Sequence, residues 1–163
     1  MASQTVQQHE VDDYSKERQP WEPITHCIRR VQFCAGHRVW KHESKCAHLH
    51  GHNYVALFHA SASSLDELGR VIDFQQLKER LGGWIDQNWD HGFILNKNDS
   101  DAVTAVSSIP GQKLYALDSN PTAENLAEHL LMTVAPRQMA GSGVTVVKIV
   151  LWETENSYAE VAL

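Results

Sequence analysis

The chain has 163 residues, of which 42% are hydrophobic and 21% are charged, and its formal net charge is −6. This composition is typical of a single globular domain and excludes collagen-like, coiled-coil and low-complexity chains. The negative charge argues against general nucleic-acid binding, because contacts to phosphates need an excess of Lys and Arg.

The first 24 residues are polar and aperiodic, and they predict a loosely docked tail ahead of one domain over residues 25–163. No apolar run approaches the ~20 residues of a membrane span, and the N-terminus lacks the apolar stretch of a signal peptide. Three cysteines without a CxxC pair favour free thiols. We therefore expect a soluble, cytoplasmic protein without a membrane partner.

Four strands and two long helices are predicted in chain order. β-branched and aromatic residues predict strands over residues 26–34 and 52–62. Apolar residues recur at helical spacing after Asp73, a predicted N-cap, and again after Thr122. The connection over residues 97–120 is long and predicts a short helix at 102–108. Two final strands are predicted over residues 143–153 and 157–163.

This order of elements predicts an α+β domain with a four-stranded antiparallel sheet and two helices on one face. In the second strand Tyr54, Ala56 and Phe58 alternate with Val55 and Leu57, so both faces of the strand are apolar. Such a strand needs cover on both sides. We therefore expect the chain to form an oligomer through the free face of the sheet.

Histidine is the unusual residue, since seven of the ten histidines and all three cysteines lie between His26 and His59. The segment His50–His52, sequence HGH, begins the second strand, where side chains two positions apart project to one face. His37, at the end of the first strand, could supply a third imidazole and leave one tetrahedral position open, as in a catalytic zinc site. His42 and His48 in the connecting loop are alternative ligands. The alternative without a metal is a set of surface histidines.

Cys46 lies four residues before His50, in the loop that runs past this predicted site. As a thiolate near zinc it could act as a base or a nucleophile, whereas as a fourth zinc ligand it would close the site and make it structural. Cys27 and Cys34 lie within the first predicted strand. We expect both to be small, buried hydrophobic residues.

Two acidic positions and a basic segment complete the set of candidates. Asp90 could orient the imidazole of His91 as a general acid or base, although His91 is also compatible with a histidine at a helix C-terminus. Glu153 continues an apolar strand face and needs a ligand or partner there, unless the strand end lies in solvent. The basic residues between Arg29 and Lys45 fit either an anionic small molecule or a solvated basic surface.

Taken in order, these motifs resemble the family of 6-pyruvoyltetrahydropterin and 6-carboxytetrahydropterin synthases over about residues 26–163. The motifs are FCAGHRVW, KCAHLHGHNY, VIDFQQLK, WDH at 89–91, NPTAENLAEHL and LWETENSYAEV. The resemblance implies the tunnelling fold, an antiparallel sheet with two helices whose subunits form trimeric barrels that stack as hexamers. It also implies active sites between subunits.

The resemblance implies a role for each candidate. Zinc would bind His37, His50 and His52. Cys46 would remove a proton, and Asp90 and His91 would form a proton relay. Glu153 would anchor the pterin ring, with Thr122 as a further substrate contact. The triphosphate would meet the basic segment, with Arg29, Arg38 and Lys41 as the candidate contacts.

Three residues separate Cys46 from His50, which resembles the bacterial 6-carboxytetrahydropterin synthases of queuosine biosynthesis rather than the pyruvoyl-forming animal enzymes. The implied reaction converts 7,8-dihydroneopterin triphosphate to 6-carboxy-5,6,7,8-tetrahydropterin, with release of acetaldehyde and triphosphate. A 6-pyruvoyltetrahydropterin synthase, a zinc hydratase or hydrolase, and a non-enzymatic zinc-binding module are the alternatives. The chain departs from the family pattern by one extra residue between His91 and Leu95 and by the long segment 97–120.

Overall fold

The structure is a computed structural model that describes residues 23–163. The predicted tail over residues 1–24 lies outside this range except for Pro23 and Ile24. No helix within the described range is long and apolar enough to cross a membrane.

One mixed sheet of six strands organises the domain. The strands are β1 Cys27–His37, β2 His50–Ala62, β3 Gly92–Asn96, β4 Leu114–Leu117, β5 Val144–Thr154 and β6 Ser157–Ala162. Their order in the sheet is β4-β3-β1-β2-β5-β6. β1, β2, β5 and β6 pair antiparallel, whereas β3 pairs parallel to β1 and β4 pairs parallel to β3.

The prediction of a four-stranded, purely antiparallel sheet is therefore wrong in two respects. The four predicted strands are present, but β3 and β4 were missed, and their pairing makes the sheet mixed. These strands have five and four residues, which is too short for an alternating pattern to be distinguished from an irregular apolar segment.

The two predicted long helices are confirmed, and each contains one wider, π-helical turn. The first runs through α1 Phe74–Leu77, the turn Lys78–Gly82 and α2 Gly83–Asn88. Asp73 caps it by accepting a hydrogen bond from the backbone N–H of Gln75. The second runs through α4 Ala123–His129, the turn Leu130–Val134 and α5 Ala135–Gln138.

Both long helices cover the same face of the sheet. Strand residues of one parity point toward them, including Val31 of β1, which packs beside Gly82, and Phe58 of β2, which is fully buried. The opposite face is more open, since Ile28 is 45% exposed and Val55 and Leu57 are only partly buried. The apolar residues predicted on both faces of β2 are therefore buried on one side only.

A third helix departs from the predicted arrangement of two helices on one face. α3 Ser100–Ser107 confirms the predicted short helix, and its Ala102 and Val106 pack with Leu95 of β3. The neighbouring residue Ile94 belongs to the main core. Because adjacent strand residues point to opposite faces, α3 covers the other side of the sheet at the β3–β4 end.

Asp99 ties α3 to the end of β1. Its carboxylate is 1% exposed, accepts two hydrogen bonds of 2.5 Å from the Arg38 guanidinium, and caps α3 by accepting from the N–H of Ala102. The bonds from Arg38 hold the pKa of Asp99 below its usual range. This contact fixes the backbone directly after His37.

We predict that Asp99→Ala lowers the free energy of unfolding by about 2 kcal/mol at neutral pH, since it removes a helix cap and the partner of a partly exposed guanidinium. The pKa of Asp99 is lower in the folded state than in the unfolded state, where it is about 4. The ionised carboxylate therefore stabilises the fold above this unfolded-state pKa, and the stabilisation is lost as the pH falls through the folded-state pKa. Urea unfolding should therefore show a difference between wild type and variant that shrinks below pH ~4. Asp101→Ala, an exposed change in the same helical turn, is the control, and an equal effect of this control would contradict the prediction.

Candidate metal centre and active site

The pairing of β1 with β2 brings three histidines together. His37 ends β1 and His50 begins β2, and the two residues are direct partners in the antiparallel register. His52 projects to the same side two residues further along β2. One ring nitrogen from each histidine lies within 4.8 Å of the others.

Two glycines allow the strand ends to approach at this point. Gly36 and Gly51 are paired in the register next to the histidines. A Cβ at Gly36 would lie 2.4 Å from the Phe93 ring, and a Cβ at Gly51 would lie 2.9 Å from the carbonyl oxygen of Ala35. A larger residue at Gly36 would therefore displace the Phe93 ring, whereas one at Gly51 would press on the β1 backbone next to His37.

Backbone carbonyls fix the tautomers of two of these imidazoles. Nδ1 of His37 donates to the carbonyl of Pro121 at 2.8 Å, and Nδ1 of His50 donates to the carbonyl of His48 at 2.8 Å. Because carbonyl oxygens only accept, both rings carry their proton on Nδ1. The Nε2 atoms of His37 and His50 then face each other at 3.1 Å as two lone pairs.

This donor set fits a tetrahedral cation. Nitrogen ligands of a tetrahedral zinc ion are about 3.3 Å apart, close to the separation of the two Nε2 atoms. The pKa of His37 is lowered to about 4, chiefly by burial and also by the neighbouring His50 and His52, against the effect of the Pro121 bond. Burial also lowers the pKa of His52. These shifts favour the neutral, metal-binding form of His37 and His52.

Glu153, on β5, lies beside these histidines. Its Oε1 is 3.6 Å from Nε2 of His37 and 3.9 Å from Nε2 of His52. The carboxylate is 26% exposed, so it faces both the histidines and the adjoining cavity. Glu153 therefore borders the histidines at the strand end, beyond hydrogen-bond distance of the His37 and His52 Nε2 atoms.

A cavity of about 230 Å³ adjoins the histidines and brings together four of the predicted site residues, namely His37, Cys46, Thr122 and Glu153. Cys46 lies in the 3₁₀ turn Lys45–Ala47, and its carbonyl accepts from the N–H of Val39 at 2.7 Å. This bond holds the Cys46 turn against the end of β1.

The segment Asn120–Thr122 before α4 supports the site from a second side. The side-chain amide of Asn120 accepts from the N–H of Trp40 and donates to its carbonyl, both at 3.0 Å. Thr122 caps α4 through its hydroxyl, which accepts from the N–H of Asn125. Sequence reasoning missed Asn120, although the NPT motif ahead of a helix was visible.

Asp90 and His91 lie in the turn between α2 and β3. Nδ1 of His91 donates to Oδ2 of Asp90 at 2.7 Å, so the carboxylate orients the imidazole as predicted. His91 adopts a left-handed backbone conformation with φ of 57°, and its side chain is 78% exposed. Its N–H donates to the carbonyl of Cys34 at 2.7 Å.

Cys46 and His91 do not line a common cavity within residues 23–163 of a single chain. His91 lines a second cavity, of about 310 Å³, together with Cys34, Gly51 and His52. Cys46 lines the first. One chain therefore presents His91 and the Cys46 thiol in different cavities.

The prediction of two buried cysteines is correct for Cys27 and wrong for Cys34. Cys27 is 9% exposed, and burial raises the pKa of its thiol. Cys34 is half-buried, and its Sγ lies 3.7 Å from both Oδ1 of Asp90 and Nε2 of His91. The alternation of side chains along a strand indicates this difference, because Cys34 and Cys27 have opposite parity on β1 and therefore point to opposite faces of the sheet.

The basic residues considered for the triphosphate differ in position. Arg38 is bound to Asp99, and Lys41 lies over the Trp40 ring, with Nζ 4.0 Å from its centre. Arg29 lies eight residues before His37 on β1, which is about 26 Å along the strand. Arg29 therefore does not reach the cavity of its own chain.

Comparisons with known proteins agree with this geometry. The sequence model of the family described as "6-pyruvoyl tetrahydropterin synthase" matches residues 26–162. The chain is 44% identical over 135 residues to a 6-carboxy-5,6,7,8-tetrahydropterin synthase of Rickettsia bellii, a match that covers 83% of this chain and 98% of that protein. An Aquifex aeolicus protein of the same name is 35% identical, covering 81% of this chain and 94% of its own.

Solved structures show the same fold. An uncharacterized protein from Wolinella succinogenes superposes with a TM-score of 0.72 at 26% identity, covering 86% of this chain and 99% of that one. A variant of Plasmodium vivax 6-pyruvoyltetrahydropterin synthase superposes with a TM-score of 0.65 at 20% identity, covering 86% and 98%.

Proposed function

The chain belongs to the 6-pyruvoyl tetrahydropterin synthase family, and we propose that it converts 7,8-dihydroneopterin triphosphate to 6-carboxy-5,6,7,8-tetrahydropterin as a zinc-dependent enzyme. Acetaldehyde and triphosphate would be released, and the product would serve queuosine biosynthesis. The observation that carries the proposal is the 44% identity over nearly all of a 6-carboxy-5,6,7,8-tetrahydropterin synthase. The chain is thus an enzyme of the 6-carboxytetrahydropterin synthase type.

His37, His50 and His52 would hold the zinc ion. When bound, zinc supplies Lewis-acid polarisation of the substrate's side-chain hydroxyls. The converging lone pairs of His37 and His50 support this assignment. The three imidazoles leave one tetrahedral position, which the substrate would take.

Cys46 and Glu153 would act on the substrate from within the same cavity. The Cys46 thiolate would take a proton from a side-chain carbon, and the Glu153 carboxylate would accept hydrogen bonds from the 2-amino group and ring N–H of the pterin. Their common cavity with His37 supports these roles. Thr122 lines the same cavity and would contact the bound pterin.

Asp90 and His91 would complete the site from a second subunit. His91, oriented by Asp90, would exchange a proton with the substrate hydroxyl oxygen. Its separation from the Cys46 cavity within one chain supports an active site between subunits. The partly exposed apolar residues Ile28, Val55 and Leu57 support an assembly through the open sheet face, as a trimeric barrel or a stacked hexamer.

Three alternatives make different demands on the site. A 6-pyruvoyltetrahydropterin synthase would use the same residues but eliminate phosphate and release no acetaldehyde. A zinc hydratase or hydrolase would leave Cys46 and Glu153 without roles. A non-enzymatic zinc module would need Cys46 as a fourth ligand, whereas the grouped ligand atoms at this site come from the three histidines.

We predict that incubation with 7,8-dihydroneopterin triphosphate yields 6-carboxytetrahydropterin and acetaldehyde, measured by mass spectrometry. Cys46→Ala should retain zinc and reduce turnover by about 10²-fold or more, as expected for loss of a general base. Cys27→Ala is the control, because Cys27 has no role in the proposed reaction, and this variant should keep its turnover. Full turnover in Cys46→Ala would refute the proton-abstraction role, and a pyruvoyl pterin without acetaldehyde would favour the alternative synthase.

We predict that zinc retained through gel filtration is lost in His50→Ala and kept in His48→Ala. His48→Ala is the matched control, because it removes an imidazole but keeps the backbone carbonyl of residue 48, which orients His50. Glu153→Gln should keep zinc and raise KM, since its carboxylate is assigned to the pterin. Loss of zinc from Glu153→Gln or Cys46→Ala would make that residue a metal ligand instead.

We predict that two inactive variants complement each other when they are co-assembled. Random mixing of Cys46→Ala with His91→Ala chains should restore about a quarter of the sites, since each restored site takes one intact residue from each chain. Mixing Cys46→Ala with Glu153→Gln should restore none, because those residues share the cavity of one chain. A monomeric mass in light scattering, or no recovery in the first mixture, would contradict the intersubunit site.

A further inference from the structure

A second group of metal-ligating atoms lies on the other side of β1. Sγ of Cys34, a carboxylate oxygen of Asp90 and a ring nitrogen of His91 all lie within 4.8 Å of one another. We call His37, His50 and His52 the histidine centre. Cys34 and His37 have opposite parity on β1, so the Cys34 group and the histidine centre face opposite sides of the sheet. Nothing in the proposed reaction uses the Cys34 thiol.

The spacing of these atoms is close to that of ligands around a tetrahedral ion. Sγ of Cys34 lies 3.7 Å from Oδ1 of Asp90 and 3.8 Å from Nδ1 of His91. Sulfur and nitrogen or oxygen ligands of tetrahedral zinc are about 3.5 Å apart. Nδ1 of His91 is hydrogen-bonded at 2.7 Å to Oδ2, the other oxygen of the same carboxylate. Ligation requires this bond to break, with the ligating nitrogen and oxygen about 3.3 Å apart. The 78% exposed side chain of His91 has room for this movement.

Two backbone hydrogen bonds hold the group together before any ion binds. The N–H of Cys34 donates to Oδ1 of Asp90 at 2.9 Å, and the N–H of His91 donates to the carbonyl of Cys34 at 2.7 Å. These bonds lock the turn that carries Asp90 and His91 onto the residue that carries the thiol. Such outer contacts orient ligands and strengthen metal binding.

We propose that Cys34, Asp90 and His91 form a second site for a thiophilic divalent cation such as Zn²⁺, Co²⁺ or Cd²⁺. The ion takes the place of the proton that Nδ1 of His91 donates to Asp90. Nδ1 loses that proton to solvent and Nε2 takes one up from solvent, so the imidazole stays neutral. The Cys34 thiol releases one proton, which is the net proton release on ligation. The thiolate selects these ions over Mg²⁺ and Ca²⁺, which prefer all-oxygen ligand sets.

Both sites have three protein ligands, but this site is weaker than the histidine centre because its imidazole is 78% exposed. Its occupation breaks the hydrogen bond between His91 and Asp90. Excess zinc therefore inhibits turnover by removing the relay pair. This consequence rests on the proposed function, whereas the binding of the ion does not.

A cobalt titration of zinc-loaded protein tests the site directly. With the histidine centre filled by zinc, added Co²⁺ should produce a thiolate-to-cobalt charge-transfer band in the near ultraviolet, saturating at one equivalent per chain. The band should persist in Cys46→Ala and Cys27→Ser and disappear in Cys34→Ser. Absence of the band in wild type, or its loss in Cys46→Ala with retention in Cys34→Ser, overturns the proposal.

Inhibition provides a separate readout. Excess Zn²⁺ should inhibit the wild type, and Cys34→Ser should need at least tenfold more zinc for half inhibition relative to its own zinc-free rate. A cobalt band without inhibition confirms the site and refutes the relay role of Asp90 and His91. Equal inhibition of wild type and Cys34→Ser overturns the inhibitory role of the site.

Discussion

The candidate centre depends on the close approach of two imidazoles, the buried His37 and the partly buried His50, whose tautomers are set by backbone carbonyls. The carbonyls of Pro121 and His48 take the Nδ1 protons of His37 and His50, so that the Nε2 lone pairs face each other at 3.1 Å. Burial opposes the protonation of His37 that would relieve this repulsion. The register of two strands and the turn before α4 therefore produce an arrangement that is consistent with a metal site.

The sheet separates the chemistry of the chain into two sides. Residues of one parity on β1 and β2 carry the histidine centre, close to the Cys46 turn, while Cys34 of the other parity meets the Asp90–His91 turn. A single chain thus presents the Cys46 thiol and the Asp90–His91 pair in separate cavities. Under the proposed function, assembly through the open sheet face would bring the Asp90–His91 pair of one subunit to the histidines of another.

The long elements were predictable because their patterns extend over many residues. β1, β2 and β5 have 11 to 13 residues each, enough for alternation to be visible. The short strands β3 and β4 pair parallel to a strand that is distant in sequence, and no local pattern encodes that pairing. The position of α3 on the opposite face follows from its packing on Leu95 of β3, a tertiary contact that no local sequence pattern contains.

By itself, the sequence determined the chemical composition of the site: the HGH segment, a third histidine at a strand end, a thiol in the loop, an Asp-His pair and a late glutamate. Residue identity and short-range spacing are local properties, so motifs report them directly. Only the tertiary structure decided which groups meet. It placed Glu153 against the histidines, gave Asn120 a supporting role and brought Cys34 to Asp90 and His91. Such contacts depend on strand register and on packing between distant segments, which no local pattern contains.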